Sequence, residues 1–292
     1  LLSRHSSRKA EQALALIKQV RHTARLNRRQ LAALHQFVAS FDNPDPSPVW
    51  LIANPVSGGG KWHDAEAEIV SLLSPFMALD IKLSNEDCSA RQLAKQARQA
   101  GCKLVIACGG DGTVTEVASA LVGSDTCLGI IPLGTTNALS HALWGISAKL
   151  MPVRSACLNI LDGQSRAIDT ASCNGRLMLL LAGVGFEQQM VAAADRDKKN
   201  QLGQLAYLNW LWQAVQSNRI LSLWVQFDEQ PEQPLDTASL VVANAAPLTT
   251  LLAQGSGAPD LTDGKLDITW LVANNEDSQF LGLAELALAG LT

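Results

Sequence analysis

Between Val105 and Val117 the chain reads Val-Ile-Ala-Cys-Gly-Gly-Asp-Gly-Thr-Val-Thr-Glu-Val. Leu104 to Ala107 is an apolar run of strand length, and Gly109 and Gly110 end it. From Thr113 onward, Val114, Val117, Ala118, Leu121 and Val122 recur at helical spacing. A strand that turns on bare glycine straight into a helix belongs to an α/β sheet. Such a turn offers free N–H groups, the positive end of a helix dipole and a backbone that an anion can approach. Asp111 inside it would repel a bare phosphate, so its presence points to a metal ion or a proton network beside the turn. Read as scaffold alone, the same residues are a strand–turn–helix junction with Asp111 as turn residue or cap.

Two more junctions of this kind lie within about 90 residues. Val49 to Ala53 reads as a strand, followed by Asn54-Pro55-Val56-Ser57-Gly58-Gly59-Gly60-Lys61 and a helix from about Asp64 to Leu73. Ser57, the glycine amides and Lys61 form a candidate phosphate cradle, but not a Walker A loop, because Trp62 follows the lysine. Leu128 to Leu133 is a further strand, Gly134-Thr135-Thr136-Asn137 its turn, and Ala138 to Leu143 the start of a helix. Between these units, Leu79 to Leu83 is a short strand ending at Ser84, and Ser89 to Ala100 a helix. In a parallel sheet the three turns share the carboxyl edge, where ligands bind. Their convergence predicts a nucleotide site.

The 292 residues are 47% hydrophobic with a formal net charge of −4, which suits two domains with a real core and argues against nucleic acid as the main partner. Six cysteines stand singly, with no Cys-x-x-Cys or Cys/His grouping, so neither a disulfide framework nor a zinc site is expected. No apolar run reaches membrane-spanning length. Residues 1–43 read as a helical extension, and over residues 1–41 eight Lys and Arg face one acid, Glu11. Its apolar stripe, Leu14, Ile17, Val20, Leu31, Leu34 and Val38, fits a helix packed on its own domain or in a homodimer, or an arm on anionic lipid. Pro44, Pro46 and Pro48 mark a linker. The chain begins at Leu1 without methionine and stops at Thr292 within what reads as an apolar helix, Phe280 to Leu291; the expectation is a piece of a longer protein.

From Arg166 the pattern changes. Arg166 to Ser172, Leu177 to Ala182, Leu221 to Phe227, Thr237 to Asn244 and Leu266 to Val272 read as strands, and Gln201 to Gln216 as a helix, which predicts antiparallel β structure. Asp260 and Asp263, three apart before a glycine turn, are candidate ligands for Mg²⁺ together with backbone oxygens, and equally the start of an Asp-Gly hairpin.

In order along the chain stand Asn54-Pro55-x-Ser57-Gly58, Gly109-Gly110-Asp111-Gly112-Thr113-x-x-Glu116-Val117, Pro132-Leu133-Gly134-Thr135-x-Asn137, Ile168-Asp169, Gly183-x-Gly185-Phe186, Gly203-x-x-Ala206-Tyr207 and Asp263-Gly264-Lys265-Leu266-Asp267. The set resembles the diacylglycerol kinase catalytic-domain family, which includes bacterial lipid kinases and sphingosine kinases. The resemblance implies a Rossmann-like three-layer nucleotide domain (49–150), a mainly antiparallel β-sandwich domain for the lipid substrate (151–292), and ATP in the cleft between them. It implies nucleotide contacts from Asn54, Ser57, Gly58, Ser84, Gly109, Gly110, Asp111, Gly112, Thr113, Thr115, Glu116, Gly134, Thr135 and Asn137. Asp111 and Asp169 would serve catalysis through an acidic network around Mg²⁺, and Asp260, Asp263 and the backbone of Lys265 would hold a second, structural metal. The implied protein is a kinase of phospholipid metabolism, cytoplasmic and touching the inner membrane face.

Three departures from the family pattern stand out. Ala138 occupies the place where many bacterial members carry Asp, and Asn137-Ala138-Leu139 is similar to the sphingosine-kinase branch, so the lipid is left open. Thr115 replaces a common Asn. No Asp-Gly-Glu stretch, the usual place of the general base, follows Asp267, so that base is expected beyond residue 292. The alternatives are an NAD kinase, which shares the Gly-Gly-Asp-Gly-Thr turn, and a non-catalytic nucleotide- or lipid-binding regulator.

Overall fold

The computed structural model describes residues 48–144, 152–185, 220–246 and 259–272, together with Ala253. The basic extension 1–43, the expected helices Gln201–Gln216 and Phe280–Leu291, Phe186 and the Gly203–Tyr207 motif lie outside the described residues.

The first region is a parallel sheet of four strands: β1 (Val49–Ala53), β2 (Leu79–Leu83), β3 (Leu104–Gly109) and β4 (Cys127–Pro132), in the order β2-β1-β3-β4. Its helices are α1 (Trp62–Leu73), α2 (Ala90–Gln99), α3 (Asp111–Leu121), α4 (Ala138–Trp144) and α5 (Pro152–Asp162). Successive strand residues feed opposite helix layers. Ile52, Val105 and Ala107 pack with Leu93, Ala94 and Ala97 of α2 and Val114 and Val117 of α3. Leu51, Ala53, Ile106 and Cys108 pack with Trp62, Ile69 and Leu73 of α1 and Ala156 and Cys157 of α5. A strand covered on both faces needs apolar residues at every position, which is why β1 and β3 read as unbroken runs rather than alternations. Burial pushes the Cys108 thiol pKa well up, with Cys157 beside it adding to the effect.

The strand order creates a switch point between β1 and β3. The helices that follow these two neighbours go to opposite faces of the sheet, so their turns part at the carboxyl edge and leave a crevice. Ser89 closes α2 at its start with a reciprocal pair of hydrogen bonds to Gln92. Helix α5, which the sequence reading did not foresee, lies beyond the expected boundary at residue 150 and packs against α1 and β4. Val153, Ala156, Cys157 and Ile160 carried its signal at helical spacing.

The second region is the expected antiparallel one. A short hairpin joins β5 (Ala171–Cys173) to β6 (Arg176–Met178). A separate sheet contains β7 (Leu181–Gly185), β8 (Leu221–Val225), β9 (Gln233–Ala243) and β10 (Asp267–Val272). The long strand β9 pairs along one side with β10, and along the other with β8 in its first half and β7 in its second. Two strand expectations change here. Arg166–Ser172 pairs only from Ala171, because the Asp169 N–H donates instead to the Leu261 carbonyl at 2.7 Å. The run Leu177–Ala182 breaks at Leu179 and Leu180, whose carbonyls are taken by the Asn244 side chain and by the Asn244 and Ala245 N–H groups.

Among the described residues no helix is long and apolar enough to cross a membrane.

Candidate functional site

Three loops leave the carboxyl edge of the parallel sheet and meet. Loop 1 runs from Asn54 to Lys61, loop 2 is the Gly109–Gly110 turn into α3, and loop 3 runs from Leu133 to Asn137. Asn54 is drawn to loop 2 at the backbone, its N–H donating to the Cys108 carbonyl at 3.0 Å. Its side chain turns the chain and crosses the gap: Oδ1 accepts the Val56 N–H at 3.1 Å, and Nδ2 donates to Thr113 Oγ1 at 3.3 Å. Ser57 Oγ accepts the Gly110 N–H at 3.4 Å and lies 3.5 Å from Thr113 Oγ1. Asn54, Ser57, Gly110 and Thr113 are therefore one bonded group, as the sequence reading expects.

Loop 3 is fastened to both others. Lys61 Nζ donates to the Gly134 carbonyl at 3.1 Å, and Gly58 packs against the Leu133 carbonyl so closely that a side chain there would overlap it. A Cβ at Gly134 would stand 2.5 Å from Gly110 Cα, so only glycine lets loops 2 and 3 approach this far. Asn137 folds loop 3 on itself: Oδ1 accepts the Gly134 N–H at 2.8 Å, and Nδ2 donates to the Gly134 carbonyl at 3.1 Å.

The helix α3 starts two residues earlier than expected, at Asp111 with Gly110 as its cap, so Asp111 stands in its first turn rather than before it. Its two carboxylate oxygens accept the N–H groups of Ala138 at 3.0 Å and Leu139 at 3.1 Å. These open α4, so Asp111 caps a helix other than its own and ties loop 2 to loop 3. An ionised carboxylate has about four acceptor sites. Each oxygen of Asp111 thus keeps capacity for a second partner, and Mg²⁺ takes one or two carboxylates alongside substrate phosphates. The residue fits that ion. The first N–H groups of α3 have no acceptor within the helix and face the same crevice.

Two cavities flank α3. One of about 370 Å³ is lined by Asn54, Ser84, Ser89 and Glu116, among others. The Ser84 N–H donates to the Ala53 carbonyl at 2.9 Å, which sets it at the end of β1. Glu116 Oε2 accepts the Arg91 N–H at 3.4 Å. The other, about 630 Å³, is lined by Thr115, Cys173, Asn174 and residues 176–182. Gly112 and Thr135 are exposed at the rim.

Asp169 lies elsewhere. Its Oδ2 accepts the Gly264 N–H at 2.7 Å, its N–H donates to Leu261, and its carbonyl accepts Asn244 Nδ2 at 3.0 Å. It fastens the turn 260–265 rather than bonding to the three loops. In that turn Asp260 Oδ1 accepts the Thr262 hydroxyl and N–H, which hold its carboxyl below the usual range. Asp263 Oδ1 accepts the Lys265 N–H at 2.9 Å. Among the described residues no three His, Cys, Asp or Glu side chains gather as a metal-holding group. A metal at Asp260 and Asp263 would draw its other ligands from backbone oxygens. Asn244, buried with Nδ2 shared between Asp169 and Leu179 and with no partner for Oδ1 among the described residues, had no signal in the sequence.

Comparison with known proteins agrees with this geometry. A family profile, "Diacylglycerol kinase catalytic domain", matches residues 48–173. A diacylglycerol kinase of Bacillus subtilis is 32% identical over 247 residues, covering 82% of this chain and 78% of that protein. The chain belongs to the diacylglycerol kinase catalytic-domain family. Another relative in this comparison, an uncharacterized protein of Synechocystis sp., is 39% identical over 75% of this chain and 52% of its own. A probable lipid kinase, YegS-like, of Pseudomonas aeruginosa is 35% identical over 56% of this chain and 53% of its own. The chain thus spans about half the length of these last two relatives. The crystal structure of a diacylglycerol kinase from Bacillus anthracis superposes with a TM-score of 0.63 at 23% identity, over 82% of this chain and 78% of that one, and shares the fold. The NAD-kinase alternative is not favoured by these findings.

Proposed function

We propose that the protein is an ATP- and Mg²⁺-dependent lipid kinase that transfers the γ-phosphate to a hydroxyl of a diacylglycerol-like or sphingoid lipid. The observation that carries the reading is the joining of three strand-to-helix turns by Asn54, Ser57, Lys61 and Asp111 around the start of α3. Phosphoryl transfer asks for positioning and charge neutralisation more than covalent chemistry from the protein. On this reading the N–H groups of Gly110 and of the first turn of α3, with Ser57, Gly58, Gly109, Gly112, Thr113 and Thr135, hold the donor phosphates. Asn54, Ser84 and Glu116 face the nucleoside in the smaller cavity. Thr115 stands on the acceptor side, and Gly134 and Asn137 shape the loop that Asp111 holds.

Bound Mg²⁺ would neutralise phosphate charge beside Asp111. The acceptor hydroxyl oxygen forms its bond to the γ-phosphorus as the bond to the β–γ bridging oxygen breaks, and ADP leaves. The hydroxyl proton passes to a general base that we assign to no described residue. Asp169 acts on this reading by placing the 260–265 turn, where Asp260, Asp263 and the Lys265 carbonyl would hold a structural metal. The protein works at the cytoplasmic membrane face, where its substrate lies.

The test is phosphate transfer from labelled ATP with Mg²⁺ by the full-length protein to diacylglycerol, sphingosine, phosphatidylglycerol and NAD, with Asp111→Ala as control. Lipid labelling that disappears in the variant is expected. Labelling of NAD alone, or ATP binding with no transfer, would overturn the proposal.

A further inference from the structure

The β8–β9 hairpin follows a regular alternation with one misfit. Leu221, Leu223 and Val225 of β8 are half-buried on one face, while Ser222, Trp224 and, just past the strand, Gln226 are exposed on the other. Across the ladder Trp224 stands opposite Pro234, and Ser222 opposite Asp236, whose Oδ1 accepts the Ser222 hydroxyl at 2.7 Å. The outward face of an antiparallel pair is ordinarily polar. Trp224 is instead 73% exposed, and Ile220, one alternation step before Ser222, is 50% exposed. With Pro234 they make an apolar strip. The charge around it has one sign: residues 220–246 contain Asp228, Glu229, Glu232 and Asp236, all exposed, and no Lys or Arg. The nearest base in sequence is Arg219, just before Ile220.

Such a surface fits a partner with an apolar stripe flanked by cations. A bilayer does not qualify, because its cytoplasmic surface is anionic and repels the four acids. The chain itself carries a segment of the right kind. Residues 1–41 hold eight Lys and Arg against Glu11 alone. A helix that lines up Leu14, Ile17 and Val20 sets Lys18, Arg21, Arg25 and Arg28 along the neighbouring stripe. The proline-rich linker 42–48 spans up to roughly 20 Å when extended. A tether this short holds the segment at an effective concentration of about millimolar, against which a second copy at ordinary protein concentration competes poorly.

We infer that the basic segment 1–41 docks on the β8–β9 hairpin of its own chain, with Trp224 seated against its apolar stripe and the surrounding acids answering its arginines. Of the three places that the sequence leaves open for this segment, its own domain, a homodimer and anionic lipid, the hairpin chooses the first. The inference goes beyond the lipid-kinase reading and does not depend on it. Docked there, the segment withholds its positive charge from anionic lipid.

The segment's only lysines are Lys9 and Lys18, which makes the contact readable. An equal mixture of unlabelled and heavy-isotope-labelled full-length protein is treated with a carbodiimide, which joins a lysine amine directly to a touching carboxylate with loss of water, and the links are mapped by mass. Links from Lys9 or Lys18 to Asp228, Glu229, Glu232 or Asp236 are expected within one isotope. The triple change Arg21→Glu, Arg25→Glu, Arg28→Glu and, separately, Trp224→Ser leave both lysines and all four acids in place. Each should lower the yield of these links, the triple change by roughly tenfold, and salt should lower it in the wild type. Trp224→Ser should also raise sedimentation with phosphatidylcholine–phosphatidylglycerol vesicles, since it releases the segment. Links found only between isotopes would hand the surface to a second copy and overturn the inference. So would the absence of links to the hairpin, links untouched by either change, or vesicle binding that Trp224→Ser leaves unchanged. None of these readouts is activity, so the kinase reading stands or falls separately.

Discussion

The parallel and antiparallel regions secure their strand ends in opposite ways. In the parallel sheet, β1, β3 and β4 end in loops that bond to one another, with Asn54, Ser57, Lys61 and Asp111 each reaching across to another loop. In the antiparallel region the ends are tied down by single residues from far along the chain, Asp169 and Asn244. The strands differ as well. Leu51, Ile52, Val105, Ile106 and Cys108 are fully buried on both faces of the first sheet. On the second sheet Trp270 and Val184 both oppose Leu240, which puts them on one face; they are 41% and 43% exposed, and Trp224, opposite Pro234, is 73% exposed. A region that spends its polar groups on loop-to-loop bonds builds a site at a fixed point. One that spends them on its own turns builds a scaffold, and its chemistry comes from the cavity walls it presents.

The largest expected effect that separates the two regions comes from Asp111→Ala. It removes the cap of α4 and the carboxylate that the proposed kinase reading sets beside the donor phosphates, and phosphate transfer should fall roughly 100- to 1,000-fold. Asp169→Ala should instead act on stability, by about 1 kcal/mol in urea unfolding, since one hydrogen bond to the Gly264 N–H is lost. Asp169→Asn, which keeps an acceptor oxygen, should restore most of that. A 100-fold loss of turnover in Asp169→Asn with unchanged stability would put Asp169 in the chemistry and break the comparison.

Glycines give the next contrast. Gly134→Ala places a Cβ 2.5 Å from Gly110 Cα and should cost about 1–3 kcal/mol by overpacking, with loss of ATP affinity. Gly264→Ala has open space but a φ of +72°, and should cost about 1–2 kcal/mol with ATP affinity unchanged in calorimetric titration.

The smallest effect is on the thiols. Cys108 and Cys157 are buried under the parallel sheet, and burial, with Glu68 nearby, pushes Cys157 up to about 11. The folded state thus holds its proton where the unfolded chain, near 9, releases it, so this contribution to stability is intact below pH 9 and is lost between pH 9 and 11. Iodoacetamide at pH 8 should modify the exposed Cys127 and Cys173 first and spare Cys108 and Cys157 until the protein is unfolded, as mass mapping would read.

Much of this was legible in the chain where local patterning carries the structure. β1 and β2 begin and end at the expected residues, β1 as an apolar run between turn residues and β2, at the sheet edge, as the alternating run Leu-Asp-Ile-Lys-Leu. Membership of Asn54, Ser57 and Thr113 in one site followed from three similar junctions in a parallel sheet. The role of Asp111 did not, since a cap on another helix, 27 residues on, leaves no mark in the local sequence. Asp169 drew notice, but its partner Gly264 lies 95 residues away. The break at Leu179 was hidden because its cause, the side chain of Asn244, is 65 residues distant.

The central claim is that the donor nucleotide binds where the three loops meet. Amide hydrogen exchange of the full-length protein with and without ATP and Mg²⁺ tests it directly. The account predicts new protection in residues 54–61, 109–116 and 133–139, with β8 and β9 unchanged. Protection confined to residues 221–243, with the three loops exchanging as before, would contradict it.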